Sequence, residues 1–360
     1  MSEFPQSLEN FFLGDLIKDI DSKNKSTELL NENSSFKQFK ENFDKANSDS
    51  SNENLNDTSY TSSQNINIIS KEEIFSAISK QKTGILLQNS IKDMNSLEIS
   101  NIIKELKGNF TKLMKDKNGN YFCSDLLKLC SNQQRLIILK EIIPDFISLS
   151  INQFSNHPMQ ILIELMELDE EIEYLNYVFN SLEQFLNVCL NSNGSYVIQK
   201  IISNIPENKR IYINKLFLNC VHILSCDMYG VVTLKKFVYY SKNEFIYKGI
   251  ISNLIQHFIK ISENPYGNYF VQFILEIWWN NKEIKHIKNL IISNFFRLSK
   301  NKFASHICEM YIKLINLNEK QILLCYLMKN GIYFLLLKDI YGVFVMNKLI
   351  NDCIINNSTS

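Results

Sequence analysis

Residues 265–276, PYGNYFVQFILE, show the arrangement of polar and apolar positions on which most of the chain is built. On a helix, Asn268, Gln272 and Glu276 are spaced four residues apart and form one polar row. Tyr269 lies beside this row, and the positions that remain after it are all apolar. A helix with so narrow a polar stripe buries nearly all of its surface. The pattern therefore predicts one layer of a stack, packed between similar helices and exposed along a single strip.

The five-residue motif that starts at Asn268 and ends at Gln272 recurs at a nearly constant spacing. Its eight occurrences are 84–88, 120–124, 159–163, 195–199, 231–235, 268–272, 305–309 and 343–347. Successive starts lie 36, 39, 36, 36, 37, 37 and 38 residues apart. A small residue precedes six of the motifs, where we expect a loop to turn closely into a helix. These residues are Gly119, Gly194, Gly230, Gly267, Ala304 and Gly342. Such a period is typical of a helical solenoid.

Each repeat is predicted to contain a short helix, the helix that carries the motif, and a third helix. Ser70 and Glu73 have the spacing of a capping box, so the first helix should begin directly after Ser70. In the fourth repeat, residues 182–217, Pro206 falls in the turn before the third helix, where proline is tolerated. The pattern therefore predicts an all-α array over residues 70–360.

Residues 1–69 have a different composition from the array. Their central part, 21–65, is dominated by Ser, Asn, Asp, Glu and Lys without a sustained period, which predicts disorder. Six lysines and twelve acidic residues precede position 70, a net charge of −6, so the remaining 32 basic and 26 acidic residues give the array +6. A mildly basic array suits a polyanionic ligand. Residues 8–20 have helical apolar spacing, which fits either a partner-binding helix or a hydrophobic patch without a role.

Other features of the composition argue against membrane insertion and catalysis. No apolar run approaches the roughly 20 residues of a membrane span, and the apolar start lacks the basic flank of a secretory signal. The eight cysteines form no CxxC pair and lie mostly in apolar helical segments, so we expect buried free thiols in a reducing compartment. The five histidines are scattered, and no phosphate-binding loop of the GxxxxGK type occurs. We therefore expect no enzyme activity, no metal or other cofactor, and no small-molecule substrate.

Four segments resemble the base-reading helices of the Pumilio (PUF) family of RNA-binding proteins. They are YGNYFVQFILE (266–276), NGSYVIQKII (193–202), FASHICEMYI (303–312) and NGNYFCSDLLKL (118–129). The similarity covers about residues 70–360, and eight is the family's usual number of repeats. It implies a right-handed α-solenoid of eight three-helix repeats, shaped as a crescent, that binds single-stranded RNA on its concave face with one base per repeat.

The resemblance also implies a biological role. Family members typically bind messenger 3′ untranslated regions and repress translation or promote decay, with regulatory protein partners on the convex face. A cytoplasmic location follows from the family, with a nucleolar one as the lesser alternative. The family usually continues past the eighth motif helix with a further helix and a partial repeat. We therefore expect the segment 330–356 to be the least protected against hydrogen exchange, since a solenoid needs a polar cap over its last apolar face.

The motif has a physical basis for reading bases. Side chains four residues apart on a helix lie roughly 5 to 6 Å from each other, which matches two adjacent groups on the Watson–Crick edge of a base. The residue after the first motif position points along the array axis, where a planar side chain stacks between bases. Such stacking contributes about 1 to 3 kcal/mol per base, and a good two-point edge contact supplies a similar discrimination.

Three repeats carry both the edge pair and the stacking residue of the family's pairing rule, one each for guanine, uracil and adenine. Their residues are Ser305, His306 and Glu309 for guanine, Asn268, Tyr269 and Gln272 for uracil, and Ser195, Tyr196 and Gln199 for adenine. In the guanine pair, the carboxylate accepts from both N–H donors of the base edge.

The first two repeats keep part of this rule. Asn120 and Tyr121 in the second repeat match a uracil reader, but Ser124 replaces the expected glutamine and is short for the task. Gln88 in the first repeat keeps half of an edge pair with Ile85 as the stacking residue, which gives a weak adenine site.

The third, fifth and eighth repeats depart further from it. The third motif, 159–163, is preceded by Pro158 and is interpreted as a skipped repeat. In the fifth repeat we predict that Lys235 contacts a phosphate, since no edge pair is recognisable there. The eighth repeat keeps Phe344 as a stacking residue and Asn347 as an unfamiliar edge residue.

Protein and RNA run antiparallel in this family, so the resemblance implies the element 5′-n-G-U-n-A-n-(U)-(A)-3′, with weaker assignments in parentheses. The adenine falls one place later than in the family's preferred UGUA core, which leaves either a different target or a flipped base. Two further hypotheses remain open. A degenerate solenoid that acts as a protein-protein scaffold would have a similar sequence. A non-specific RNA binder in ribosome assembly is the other alternative, against which the sequence pI of about 6.9 argues.

Overall fold

The computed structural model describes residues 70–355, and both the predicted disordered tail and its segment 8–20 lie outside this range. The described residues form 22 α-helices and two short 3₁₀ helices, at Ile143–Asp145 and Glu207–Lys209, and they contain no strand. None of these helices is both long enough and apolar enough to cross a membrane. The chain divides after Leu106 into two compact units.

The first unit contributes three helices to the described range. They are α1 (Lys71–Ser79), α2 (Gln81–Ile91) and α3 (Ser96–Leu106). The predicted capping box is confirmed, because the Glu73 N–H donates to Ser70 Oγ at 3.3 Å and the Ser70 N–H donates to Glu73 Oε2 at 2.8 Å. These two bonds satisfy backbone donors that the first turn of a helix leaves free.

The second unit contains the other helices. They are α4 (Phe110–Met114), α5 (Gly119–Leu129), α6 (Asn132–Ile142), α7 (Phe146–Ile151), α8 (Asn156–Glu164), α9 (Asp169–Asn176), α10 (Leu182–Cys189), α11 (Gly194–Asn204), α12 (Ile211–Leu224), α13 (Met228–Tyr239), α14 (Glu244–Gln256), α15 (Phe258–Ser262), α16 (Gly267–Trp278), α17 (Ile284–Ser293), α18 (Phe295–Ser299), α19 (Ser305–Leu314), α20 (Leu317–Lys329), α21 (Ile332–Leu337) and α22 (Gly342–Ile355).

The predicted alternation of short, motif-carrying and third helices is confirmed in this unit. The helices that carry the motif, called motif helices below, pack side by side in chain order as α5, α8, α11, α13, α16, α19 and α22. A second layer forms from the third helices, where α12 contacts α14 and α14 contacts α17. One boundary differs from the prediction. The third helix of the fourth repeat and the first helix of the fifth run together as α12, with a kink at Cys220.

A file of phenylalanine rings crosses the core of the middle repeats. Phe146, Phe179, Phe185, Phe217 and Phe237 follow one another with centroid separations of 5.9, 5.2, 4.9 and 4.1 Å. The first three contacts are edge-to-face and the last is stacked, the geometries that aromatic pairs prefer. All five rings are buried, so they join three repeats into one continuous apolar core.

Two buried arginines connect consecutive repeats. Arg135 donates to the carbonyl oxygens of Cys130, at the end of α5, and of Leu165, at the end of α8. Arg210 donates likewise to Ile202 in the last turn of α11 and to Tyr240 at the end of α13. The last carbonyls of a helix have no partner within the helix. Each guanidinium therefore satisfies the ends of two successive motif helices and fixes their spacing.

Cysteine burial follows the prediction at six of eight positions. Cys226 is half-buried and Cys325 is exposed, whereas the others are buried, and all eight are free thiols. Cys325 lies on the outward side of α20, which a helical apolar pattern alone did not distinguish from a core position.

The predicted close turns into the motif helices are present, and glycine allows them. A Cβ added at Gly267 would lie 2.2 Å from the Ile261 carbonyl oxygen, and the four equivalent glycines would meet a backbone oxygen at 2.4 to 2.8 Å. The four are Gly119, Gly194, Gly230 and Gly342. In these five repeats the short helix therefore approaches the next motif helix more closely than any side chain permits.

Replacement of Gly267 by alanine should lower the free energy of unfolding by about 2 kcal/mol, as expected for overpacking against rigid backbone. Thermal unfolding measures the effect. Gly249→Ala in α14 is the control, because its Cβ would meet only the flexible side-chain carbons of Leu218, and it should leave the stability nearly unchanged. Equal stability of the two variants would contradict the explanation.

Candidate nucleic-acid interface

Every motif helix of the second unit begins with the same hydrogen-bonded loop. An Asp or Asn four residues before the first motif position accepts, through its Oδ1, the N–H groups two and three residues further along the chain, at 2.8 to 3.1 Å. The seven residues are Asp116, Asn152, Asn191, Asp227, Asn264, Asn301 and Asp339. Asp and Asn favour such turns because their short side chains reach their own backbone. The loop fixes the rotation of each motif helix and therefore which residues face outward.

This loop corrects the register of the third repeat. Asn152 places the first motif position at Asn156, three residues before the predicted Met159. Met159 and Ile163 of the predicted motif are fully buried core residues. The third repeat is therefore not skipped. It carries Asn156, His157 and Gln160 at the edge, stacking and edge positions. Sequence reasoning missed them, although an Asp or Asn four residues before the motif was available as a signal.

The third and sixth repeats share one hydrogen-bond pattern. In α16, Asn268 Nδ2 donates to the carbonyls of Asn264 and Pro265 at 3.0 and 2.9 Å, and Gln272 Nε2 donates to Asn268 Oδ1 at 3.0 Å. In α8, Gln160 Nε2 donates to Asn156 Oδ1 at 3.1 Å, and Asn156 Nδ2 donates to the loop in the same way. The asparagine thus orients the glutamine. The glutamine keeps one carbonyl acceptor and one N–H donor for a ligand.

The second repeat has only half of this arrangement. Asn120 Nδ2 donates to the carbonyls of Asp116 and Lys117 at 3.0 and 2.7 Å, as in the repeats above. Ser124, however, is 2% exposed and its hydroxyl donates to the Asn120 carbonyl at 2.8 Å. The structure therefore does not bring Ser124 to the edge position for which it was predicted. Its short hydroxyl is satisfied by the backbone instead.

The fourth and seventh repeats begin with a serine held against the loop. Ser195 and Ser305 are buried, and their hydroxyls point back to the carbonyls of Ser192 and Lys302 at 3.3 and 3.4 Å. Gln199 and Glu309 lie one turn further on and are half-buried. The Glu309 carboxylate lies 3.8 Å from His306 Nδ1. The seventh repeat therefore presents a carboxylate acceptor next to an exposed imidazole.

The predicted stacking residues of the second unit form a row of exposed side chains on otherwise buried helices. The residue after the first motif position is exposed in every repeat, with the third repeat in its corrected register. These residues are Ile85, Tyr121, His157, Tyr196, Val232, Tyr269, His306 and Phe344. Tyr121, Tyr269 and Phe344 are 58, 48 and 62% exposed. Large exposed apolar side chains in register indicate a binding surface.

The fifth repeat differs from its neighbours in charge. Lys235 is 5% exposed, and its Nζ lies 5.8 and 5.6 Å from the ring centroids of Tyr269 and Phe273 on α16. Burial lowers the pKa of Lys235 to about 8, and Glu276 opposes this effect. The ammonium therefore lies against the rings in this conformation, and its contact with a phosphate stays a prediction.

The weaker sites predicted in the two end repeats stay predictions. Gln88 on α2 is half-buried, and Asn347 on α22 is exposed beside Phe344. Within residues 70–355, no three His, Cys, Asp or Glu side chains converge as they would around a metal ion.

Comparison with known proteins agrees with this geometry. A profile of the Pumilio-family RNA binding repeat matches residues 109–143, 184–214 and 257–291. These matches fall on the second, fourth and sixth repeats, and each contains the whole motif helix. Pumilio homolog 12 of Arabidopsis thaliana is 26% identical over 264 residues, which are 71% of this chain and 43% of that protein. Suppressor protein MPT5 of Saccharomyces cerevisiae is 26% identical over 62% of this chain and 27% of its own length. The chain thus spans less than half the length of these relatives.

Solved structures have the same fold. The Puf4 RNA binding domain bound to an HO endonuclease RNA 3′ UTR recognition sequence superposes with a TM-score of 0.70 at 23% identity, over 80% of this chain and 88% of that one. The RNA-binding domain of yeast Puf5p bound to SMX2 RNA gives a TM-score of 0.66 at 21% identity, over 77% of this chain and 82% of that one. The chain is therefore an all-α solenoid of the type found in these domains.

Proposed function

Because the chain belongs to the Pumilio family of RNA-binding repeat proteins as a divergent member, we propose that it binds single-stranded RNA sequence-specifically through its motif helices. The Puf4 and Puf5p domains that share its fold contain bound RNA. Consecutive bases would stack against the exposed row, and the edge pairs would select them, one base per repeat.

One observation carries this proposal more than any other. Edge pairs and stacking residues recur at the same helical phase, and an independent feature, the Asp or Asn loop, fixes that phase in seven motif helices. A protein scaffold would need a contact surface, but it would not need paired hydrogen-bonding groups next to the exposed rings of the third, fourth, sixth and seventh repeats. The pattern therefore favours a ligand made of planar units with hydrogen-bonding edges.

The corrected third repeat changes the RNA element that the chain would read. Asn156 and Gln160 match the uracil pair, with His157 as the stacking residue. Read from the eighth repeat to the first, the element becomes 5′-n-G-U-n-A-U-(U)-(A)-3′. The parentheses mark weaker assignments. In the second repeat Ser124 is withdrawn from the edge, and in the first repeat the residue paired with Gln88 is Gly84, which has no side chain. Such an element would lie in messenger 3′ untranslated regions, where the chain would repress translation or promote decay.

Selection from a random RNA pool by the full-length protein tests this function. We expect enrichment of G-U followed, after one base, by A-U. If no element is enriched and retention of RNA depends only on the salt concentration, binding is electrostatic. The proposed reading of bases is then wrong. If no RNA is retained at all, the array is a protein scaffold.

The corrected register yields a prediction of its own. Replacing Asn156 by Ser and Gln160 by Glu should change the preferred base at the third repeat from uracil to guanine, with a change of about 2 kcal/mol in relative affinity. Competition binding between two RNAs that differ at this base measures the effect. Placing Ser and Glu at Met159 and Ile163 instead should unfold the repeat, since both side chains are fully buried. A change of base preference in that second variant would contradict the corrected register and favour a motif that starts at Met159.

A further inference from the structure

The fifth repeat has a chemistry that no other motif shares. Of the eight residues at the last motif position, seven carry an oxygen that can accept a hydrogen bond. They are Gln88, Ser124, Gln160, Gln199, Gln272, Glu309 and Asn347. Lys235 carries only donors. Its partner at the first motif position, Val231, is 6% exposed and has no polar side-chain atom. This repeat can therefore donate hydrogen bonds from its edge position but cannot accept them.

The position of Lys235 brings its donors to the place where a base would lie. Helix α13 packs beside α16, and Lys235 Nζ lies 5.8 Å from the centre of the Tyr269 ring. That ring is 48% exposed and belongs to the stacking row. The flexible side chain of Lys235 can reach the edge of a base stacked on this ring at van der Waals distance, roughly 3.5 Å. On the other side, the 38% exposed Val232 provides an apolar surface for the same base.

The Watson–Crick edges of the four bases differ in how well they suit a donor without an acceptor. Cytosine presents two adjacent acceptors, N3 and O2. Uracil places the N3–H donor between its acceptors, and guanine presents two donors beside O6, so both set a positive hydrogen next to the ammonium. Adenine offers the single acceptor N1 beside its amino group. Only cytosine offers two neighbouring acceptors to one ammonium.

We propose that Lys235 makes the fifth repeat a cytosine reader, so that the element becomes 5′-n-G-U-C-A-U-(U)-(A)-3′. The inference rests on the proposed RNA binding and specifies a base that the family's pairing rule leaves open here. Burial lowers the pKa of Lys235 only to about 8, with Glu276 opposing the shift. The side chain is therefore mostly protonated at pH 7 and keeps its donors.

Four RNAs that share G-U-n-A-U and differ only at n test the proposal with the full-length protein. We expect the cytosine RNA to bind about tenfold more tightly than the uracil or guanine RNA. Lys235→Met should reduce this preference to less than about twofold, whereas Lys235→Arg should keep it, because arginine retains the donors. Lys236→Met is the matched control. It removes the same charge one residue away, from a side chain directed at the Tyr240 ring, and it should keep the preference.

Three outcomes would overturn the proposal. In the first, the wild-type protein binds all four RNAs equally. In the second, the cytosine preference survives in Lys235→Met. In the third, Lys235→Met weakens all four RNAs alike and reduces the salt dependence by about 0.7 per contact, which identifies a phosphate contact. Failure of RNA recognition itself is distinct, because then the wild-type protein does not distinguish these RNAs from scrambled ones. Thermal unfolding of each variant establishes that it is folded.

Discussion

Replacing Ser305 by Asn and Glu309 by Gln should convert the seventh repeat from a guanine reader into a uracil reader. The Glu309 carboxylate accepts only, which suits the two N–H donors on the guanine edge. Asparagine and glutamine at these positions should adopt the arrangement of α16, in which Gln272 donates to Asn268 at 3.0 Å and presents one donor and one acceptor. The lost and gained contacts together amount to about 3 kcal/mol, roughly a hundredfold change in the ratio of affinities.

Competition binding with RNAs that carry G or U at this base measures the exchange. The control RNAs vary the base opposite α16, where the preference for uracil should stay the same. If the double variant still prefers guanine by the original factor, the base does not contact this pair. Equal losses for both RNAs would instead mean that the substitutions disturb the helix.

Arg210→Met should cause the largest loss of stability, about 3 kcal/mol. The arginine is 1% exposed and satisfies two helix-end carbonyls in successive repeats, Ile202 and Tyr240. Methionine fills similar space but leaves both buried oxygens without a donor, and hydrogen bonds to charged groups contribute about 1.5 to 3 kcal/mol each. Hydrogen exchange should show the loss at the ends of α11 and α13, because the guanidinium joins these two helices.

Arg297→Met is the matched control for this effect. Arg297 also makes two hydrogen bonds, both to the Glu263 carboxylate, but its side chain is 59% exposed. Solvent replaces such contacts at little cost, so the midpoint of thermal unfolding should hardly change. Similar shifts for the two variants would refute the assigned role of Arg210, because burial would then make no difference.

Much of the fold followed from periodicity alone. Seven motif segments, the all-helical content and the capping box at Ser70 were predicted, because apolar spacing and cap chemistry are local properties of the sequence. The fusion of two helices into α12 was not, since it depends on the kink at Cys220. The connections made by Arg135 and Arg210 were also missed. A buried arginine is recognised only when the carbonyls of the neighbouring repeat are seen beside it.

The exposure of the stacking residues was predicted well where apolar and polar phases agreed. Tyr196, Tyr269 and His306 are exposed as expected, whereas the first residues of the pairs beside them, Ser195, Asn268 and Ser305, are buried. The third repeat failed because Met159 and Ile163 also fit an apolar helix in a shifted phase. Only the loop anchored by Asn152 separates the two alternatives. Ser124 failed for a different reason, since a serine four residues after Asn120 can donate to its backbone carbonyl.

The loop residues, the close-packed glycines and the two arginines hold the motif helices from positions outside the five-residue motif. Substitutions at the exposed stacking positions therefore alter the surface of a repeat while these groups stay intact. This separation explains how the second and fifth repeats depart from a common rule and still have the regular helical geometry of their neighbours. The stacking residues of such a chain can therefore change while the architecture that carries them stays the same.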